Sequence, residues 1–289
     1  MPERPFESLC VVGAGFMGRQ IGRRALRHGY TVCLVDADEG ALAAAREAFA
    51  AEPDAAAWQE RLSLTRDLAS GTAAADLVIE AIPEKLELKR ALFAELDAIC
   101  PPHTILASNS SSLRIQRIED VVQRRDRVLN LHYFAPVDQR PVVEIMGGSE
   151  TLPEVLEQVR QFARRCDLTP LMVRKESTGF IFNRVWRAIK KECLRVVDQG
   201  IATHEDIDRA WMICYGTPRG PFGQMDLIGL DVVRDIEMVY YEESGDPDDA
   251  PPQVLLDKIA RGELGVKTGA GFYTYPHPAY EREGWLRGE

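Results

Sequence analysis

The sequence contains no C-x-x-C pair and no knuckle spacing. Its six cysteines, Cys10, Cys33, Cys100, Cys166, Cys193 and Cys214, are dispersed along 289 residues. That argues against a zinc ribbon and a disulfide framework, so the cysteines read as small buried thiols and no metal is expected. The opening segment, MPERPFES, lacks a basic n-region followed by an apolar h-region, and no apolar run reaches the ~18–20 residues of a membrane span. A cytoplasmic protein with no membrane partner is expected. Positive charge is also in deficit: 35 Lys and Arg stand against 45 Asp and Glu, for a net charge of -10. Binding to nucleic acid by counterion release needs the opposite sign, so nucleic acid is not an expected partner. There is no low-complexity tract and no fixed-period repeat. With 45% hydrophobic and 28% charged residues, the chain has the composition of a folded globular protein.

The length favours two domains. Up to about residue 175, short β-branched runs alternate with amphipathic stretches: SLCVV, FMGRQIGRRALRHG, TVCLVD, an Ala-rich segment from Asp38 to Ala51, DLVIEAI, KLELKRALFAELDAI and TILAS. Further strands are expected around RVLNLHYF, PVVEIM and TPLMV. This order predicts a Rossmann-like, mostly parallel sheet with crossover helices over 1–175. Beyond it the strand signal stops. Helices are expected near 180–199, 204–214, 224–243 and 252–261, so 176–289 is predicted to be an all-α substrate and dimerisation domain.

GAGFMG places Gly13, Gly15 and Gly18 in a G-x-G-x-x-G pattern directly after the first strand and at the mouth of a helix. Such a pattern alone is weak, and a structural glycine turn without cofactor would read the same way. Its context strengthens it: the next strand ends in Asp36, 18 residues after Gly18. The first glycine permits a tight turn, the second admits a pyrophosphate to the backbone, and the third lets helix and strand pack closely. Phe16 and Met17 lie within the same loop and helix start, whose free amides face a phosphate. Asp36 can accept from both ribose hydroxyls and repels a 2′-phosphate, which favours NAD. Arg23 and Arg24, one helix away, can soften that preference.

Chemistry-bearing residues follow the later strands. DLVIEAIPEKLELK brings Glu84 and Lys89 to the carboxyl edge of the sheet, where they either touch cofactor or are an acidic first-turn residue and a solvated lysine. LASNSSSL supplies Ser108 to Ser112 at the same edge, as hydrogen-bond donors or helix caps. His132 closes one strand and Glu144 lies inside the next, so a hairpin-like return through PVDQRP can join them as a base and its orienting carboxylate. A satisfied core histidine is the competing reading. A glutamate within the apolar run PVVEI nevertheless demands a partner, because an unpaired buried carboxylate is costly. Asn183, in STGFIFNR, either projects toward a cleft or ties the domains together.

Taken jointly, GAGFMG, DLVIEAIPE, SNSSSL, HYFAP, VVEI, GFIFNR, RGPFGQMDLIGLD and KTGAGFY resemble the 3-hydroxyacyl-CoA dehydrogenase family from about Ser8 to Tyr275. The resemblance implies NAD as cofactor, His132 as general base and Glu144 as its partner. It also implies Ser111 and Asn183 holding the substrate oxygens, and Glu84, Lys89, Ser111 and Lys267 at the dinucleotide. A homodimer through the helical domain is implied as well.

Two departures qualify it. Ala135 stands where the family carries an asparagine near the nicotinamide. The segment from Ala37 to Ala75 is short and free of lysine, whereas relatives that bind coenzyme A usually insert a longer helical hairpin bearing lysines. A thioester on an acyl carrier protein, as in a glyceryl-carrier-protein dehydrogenase, therefore competes with an acyl-CoA as substrate, and the trimmed arm leans toward the carrier. Basic clusters at Arg124, Arg125 and Arg127, at Arg160, Arg164 and Arg165, and at Arg184, Arg187, Lys190 and Lys191 are either ordinary helix faces or a docking patch for an acidic carrier. Alternatives to a thioester dehydrogenase are a dehydrogenase of a free hydroxy acid or sugar acid, and a non-enzymatic NAD-binding relative.

Overall fold

Eight strands form one sheet in the order β3-β2-β1-β4-β5-β6-β7-β8. The structure is a computed structural model and describes residues 6–289. The elements of its first part are β1 (Ser8–Val12), α1 (Phe16–Arg27), β2 (Thr31–Val35), α2 (Glu39–Ala50), α3 (Ala55–Trp58), β3 (Leu62–Thr65) and α4 (Leu68–Thr72). They continue with β4 (Leu77–Glu80), α5 (Leu86–Ile99), β5 (Ile105–Ser108), β6 (Val128–Tyr133), β7 (Val142–Gly147), α6 (Pro153–Arg165) and β8 (Thr169–Val173). Strands β1 to β6 are parallel, β7 turns back against β6, and β8 follows β7. Strands β4, β5 and β6 are buried along their whole length, as apolar strands are when helices cover both faces. One core lies with α1, α2 and α6, the other with α5. The expected Rossmann-like sheet is present, with β3 added: its LSLT run lies inside the segment read only as a shortened arm.

Contacts divide the chain after Ile181, six residues beyond the boundary expected at 175. The second unit carries α7 (Phe182–Asp198), α8 (His204–Tyr215), α9 (Pro221–Ile228), α10 (Leu230–Ser244) and α11 (Gln253–Ala260), and is helical as expected. The single helix expected over 224–243 is instead two, because Gly229 sits at φ +101° and ends α9. A side chain there would also press on Asp231 and on the Lys267 ammonium.

Two buried aspartates organise this unit. Asp208 accepts the Phe222 and Gly223 amides at the start of α9, at 2.8 and 2.9 Å, and the Tyr273 hydroxyl at 3.0 Å. Asp226 accepts the Phe272 and Tyr273 amides at 2.9 and 2.8 Å and the Tyr275 hydroxyl at 3.0 Å. RGPFGQMDLIGLD and KTGAGFY are thus two halves of one clasp. A Cβ on Gly271 would lie 2.1 Å from the Asp226 carboxylate.

Burial pushes the Asp208 carboxyl up to about 6, against the lowering effect of its hydrogen bonds. A carboxyl raised on folding adds stability that is fully present below its unfolded value of about 4 and is lost as pH rises through 6. Urea unfolding followed on the second unit should therefore show the difference between wild type and Asp208→Asn changing by about 2–3 kcal/mol between pH 4 and pH 8, to the detriment of wild type at high pH. A difference that stays flat across that range would remove the group from the stability profile.

Candidate active site

Each glycine of GAGFMG has its own physical reason. Gly13 has φ +110°, and a Cβ there would lie 2.6 Å from the Ala81 carbonyl oxygen. A Cβ on Gly18 would lie 1.7 Å from the Gly13 carbonyl oxygen, so strand and helix meet too closely for any side chain. Gly15 has nothing within 4 Å of such an atom: the space beside it is open. No side chain caps α1, and its first turn carries no acid, which leaves amides and the positive end of the helix for an anion. Phe16 is exposed at this mouth, while Met17 packs partly against the core.

Asp36 follows β2 and holds the loop by accepting the Ala14 and Asp38 amides at 2.8 and 2.9 Å, one on each oxygen. Each oxygen keeps capacity for a ribose hydroxyl. Arg23 pairs with Glu52 at 2.7 Å and with Asp138 at 3.0 Å, and Arg24 donates to the carbonyl oxygens of Cys166 and Asp167. Both arginines are drawn to these other acids and carbonyls. The open glycine, the uncapped helix and the acid together fit NAD.

At the next strand ends, burial excludes one of the two readings of Lys89, that of a solvated lysine. It is 1% exposed, and its ammonium donates to Glu80 at 2.6 Å, pairs with Glu84 at 3.1 Å and reaches the Ile82 carbonyl at 3.3 Å. A lysine in the first turn of α5 opposes the helix dipole, and the two carboxylates compensate it. Glu80, fully buried at the end of β4, also accepts the Ile82 amide at 2.8 Å and the Ser108 hydroxyl at 2.6 Å. Glu84 accepts the Ser110 hydroxyl, the Ser112 hydroxyl at 2.7 Å and the Ser112 amide at 3.0 Å. Burial works to raise the Glu84 carboxyl, but Lys89 and the serine hydroxyls outweigh it and hold it below the ordinary value. Ser110 takes the Leu113 amide at 2.7 Å, a turn-capping role. Ser111 is exposed beside it and has no side-chain hydrogen bond among the described residues.

His132 and Glu144 face each other in the antiparallel register of β6 and β7, with Nδ1 2.9 Å from a Glu144 oxygen. A carboxylate only accepts, so Nδ1 carries the proton and Nε2 keeps its lone pair. The other Glu144 oxygen accepts the Ile181 amide at 2.9 Å. The rings of Phe134 and Phe180, with centroids 4.7 and 5.3 Å away, flank the imidazole, which is 6% exposed. Phe180 adopts φ 55°, a left-handed conformation rare for a bulky residue, and Gly179 before it has φ 73°. That tight turn puts the aromatic wall and the Ile181 amide on the pair. Among the described residues no His, Cys, Asp and Glu group could hold a metal ion.

Asn183 and Lys267 belong to the second unit. Asn183 is half-buried on the first turn of α7, and Lys267 pairs with Asp231 at 2.5 Å. The sequence reading missed Glu80, Phe180 and the Ile181 amide. Glu80 carried the same signal as Glu144, a carboxylate set in an apolar run. The Ile181 amide carried none, because a backbone group has no residue type to betray it.

Residues 8–177 match "3-hydroxyacyl-CoA dehydrogenase, NAD binding domain" and residues 179–275 match "3-hydroxyacyl-CoA dehydrogenase, C-terminal domain". The chain is 37% identical to hydroxyacyl-coenzyme A dehydrogenase, mitochondrial, of Rattus norvegicus, over 92% of this chain and 90% of that one. It is 34% identical to a probable 3-hydroxybutyryl-CoA dehydrogenase of Bacillus subtilis, over 93% and 97%. The crystal structure of (S)-3-hydroxybutyryl-CoA dehydrogenase from Ralstonia eutropha superposes with a TM-score of 0.87 at 31% identity, covering 94% of this chain and 100% of that one. Matches of this length across both domains establish that the chain belongs to the 3-hydroxyacyl-CoA dehydrogenase family.

Proposed function

We propose that this protein oxidises the C3 hydroxyl of a 3-hydroxyacyl-CoA to the 3-oxoacyl-CoA, with NAD as the hydride acceptor. The observation that carries the proposal is the His132–Glu144 pair, at the same carboxyl edge of the sheet as the dinucleotide loop. NAD, when bound, accepts the hydride that leaves C3. His132 Nε2 takes the hydroxyl proton, Glu144 stabilises the imidazolium that results, and Phe134 and Phe180 keep water from the ring. The family resemblance assigns Ser111 and Asn183 to the substrate oxygens and Lys267 to the cofactor, beside Gly13, Gly15, Gly18, Asp36 and Glu84. Lys89 acts there through Glu84. Ala135 leaves the position of the family's asparagine without an amide.

Coenzyme A as the thiol follows from the names of the relatives. The lysine-free segment across α2 and α3 favours a second reading, an acyl carrier protein. Against it, the basic clusters are largely engaged within the chain. Arg124 is pinned to Asp97, and Arg187 and Lys191 to Asp249; Lys190 is buried beside Glu237, its pKa pulled down by that burial. NADH formation with matched CoA and carrier-linked 3-hydroxyacyl substrates decides between them. The CoA ester should lead in kcat/KM, and a tenfold lead for the carrier substrate, roughly 1.4 kcal/mol, would reverse the assignment.

A homodimer through the helical unit is part of the proposal, supported by Phe182, Val185, Ile213 and Tyr215, each more than half exposed on α7 and α8. A reducing, cytoplasmic setting agrees with the free cysteines, such as Cys166, whose thiol burial pushes up to about 12.

A further inference from the structure

Glu80, Lys89 and Glu84 form a buried-to-surface relay that no residue type in the motif explains by contact alone. Glu80 is fully buried and cannot touch a ligand, yet it is linked to three donors: the Lys89 ammonium, the Ile82 amide and the Ser108 hydroxyl. Lys89 bridges it to Glu84, whose side chain is 37% exposed. The cluster therefore holds two carboxylates against one ammonium, an excess of one negative charge.

Its position in the sheet gives that charge a use. Asp36 follows β2 and the glycine loop follows β1, while β4, β5 and β6 succeed them across the sheet. A dinucleotide whose adenosine ribose meets Asp36 and whose pyrophosphate meets the loop runs on over the ends of β4 to β6. Those ends carry Glu80, Ser108 and His132. Neighbouring strands are ~4.8 Å apart, so the ends of β4 and β6 are separated by about 10 Å. The oxidised nicotinamide ring is a cation and the reduced ring is neutral.

We infer that the Glu80–Lys89–Glu84 relay is an electrostatic bias on the cofactor, tightening NAD+ relative to NADH, with Glu80 as a positioning residue that fixes the charge of the site from beneath. This inference rests on the NAD-binding reading above. Relative to the same site without that charge, the balance between the two bound forms is shifted toward the oxidised cofactor. A unit charge ~10 Å away through an effective dielectric of ~20 is worth about tenfold in an equilibrium.

The experiment measures dissociation constants of NADH, by its fluorescence, and of NAD+, by calorimetry, for the full chain and three variants. Glu80→Gln and Glu84→Gln keep the shape of the cluster and cancel its excess charge. Each should raise the ratio Kd(NAD+)/Kd(NADH) about tenfold, equivalent to about 30 mV in the potential of the bound couple. Ser108→Ala removes a hydrogen bond from Glu80 without changing charge and should leave that ratio where it was. If both glutamine variants weaken the two cofactors equally, or if Ser108→Ala moves the ratio as far as they do, the role is structural and the bias is overturned. Should Glu80→Gln fail to fold, Glu84→Gln, on a partly exposed side chain, carries the test alone. Wild-type protein that binds neither form would overturn the NAD reading itself, a result distinct from an unmoved ratio.

Discussion

Replacing His132 with alanine is expected to lower kcat on a 3-hydroxyacyl thioester roughly 10³-fold, with NAD affinity unchanged. The imidazole Nδ1 is committed to Glu144, which leaves Nε2 to take the hydroxyl proton. Glu144→Gln should fall in between. The carboxylate accepts two hydrogen bonds, from His132 and from the Ile181 amide, on its two oxygens. An amide has one acceptor oxygen, so one of the two donors must face an NH2 group, a cost of about 1–3 kcal/mol for a buried donor. A loss of about 10–100-fold in kcat is expected. Steady-state kinetics beside NAD titration check both variants. Full turnover by the alanine variant would mean that the proton leaves by another route.

The glycine loop supplies the second large effect, through a contrast between neighbours. Gly18→Ala should destabilise the first unit by about 3 kcal/mol or more, because the new carbon meets the Gly13 carbonyl rather than a flexible side chain. Gly15→Ala should unfold like wild type, since its backbone at φ -67° suits alanine and no atom lies within 4 Å. The added methyl instead occupies the space left for a pyrophosphate, so NAD affinity should drop roughly tenfold or more. Thermal unfolding with and without NAD separates the two. If Gly15→Ala binds NAD as wild type does, the open space beside that residue is not where the phosphates go.

These sites were legible in the sequence to different depths. The glycine spacing, the strand before it and Asp36 at the end of the next strand are local features, and the structure keeps them together. The pairing of His132 with Glu144 was legible because an antiparallel return across PVDQRP has few possible registers, and a carboxylate in an apolar strand must find a partner. Lys89 stayed open between two readings: in the sequence it occupies a first-turn position that is usually wet, and only Glu80, on a strand end nine residues earlier, draws it inside. The break at Gly229 was hidden because a lone glycine within an apolar helical pattern is tolerated as often as it interrupts. Strand β3 was missed because its residues are only half-buried or exposed, which leaves little hydrophobic alternation to read. Asn183 and Lys267 rest on family resemblance, since nothing in their spacing alone distinguishes a ligand contact from a surface amide or a surface lysine.

The clasp at Asp226 has a consequence for how the chain is made. Its two amide donors, Phe272 and Tyr273, lie 46 and 47 residues downstream, past the last α-helix. During synthesis, α9 emerges from the ribosome well before the two amides that its carboxylate needs. The Rossmann unit, which precedes α9 in the chain, is free to fold first. The helical unit instead stays open until Phe272 and Tyr273 arrive, and a stop just before Gly271 would leave its clasp unable to close.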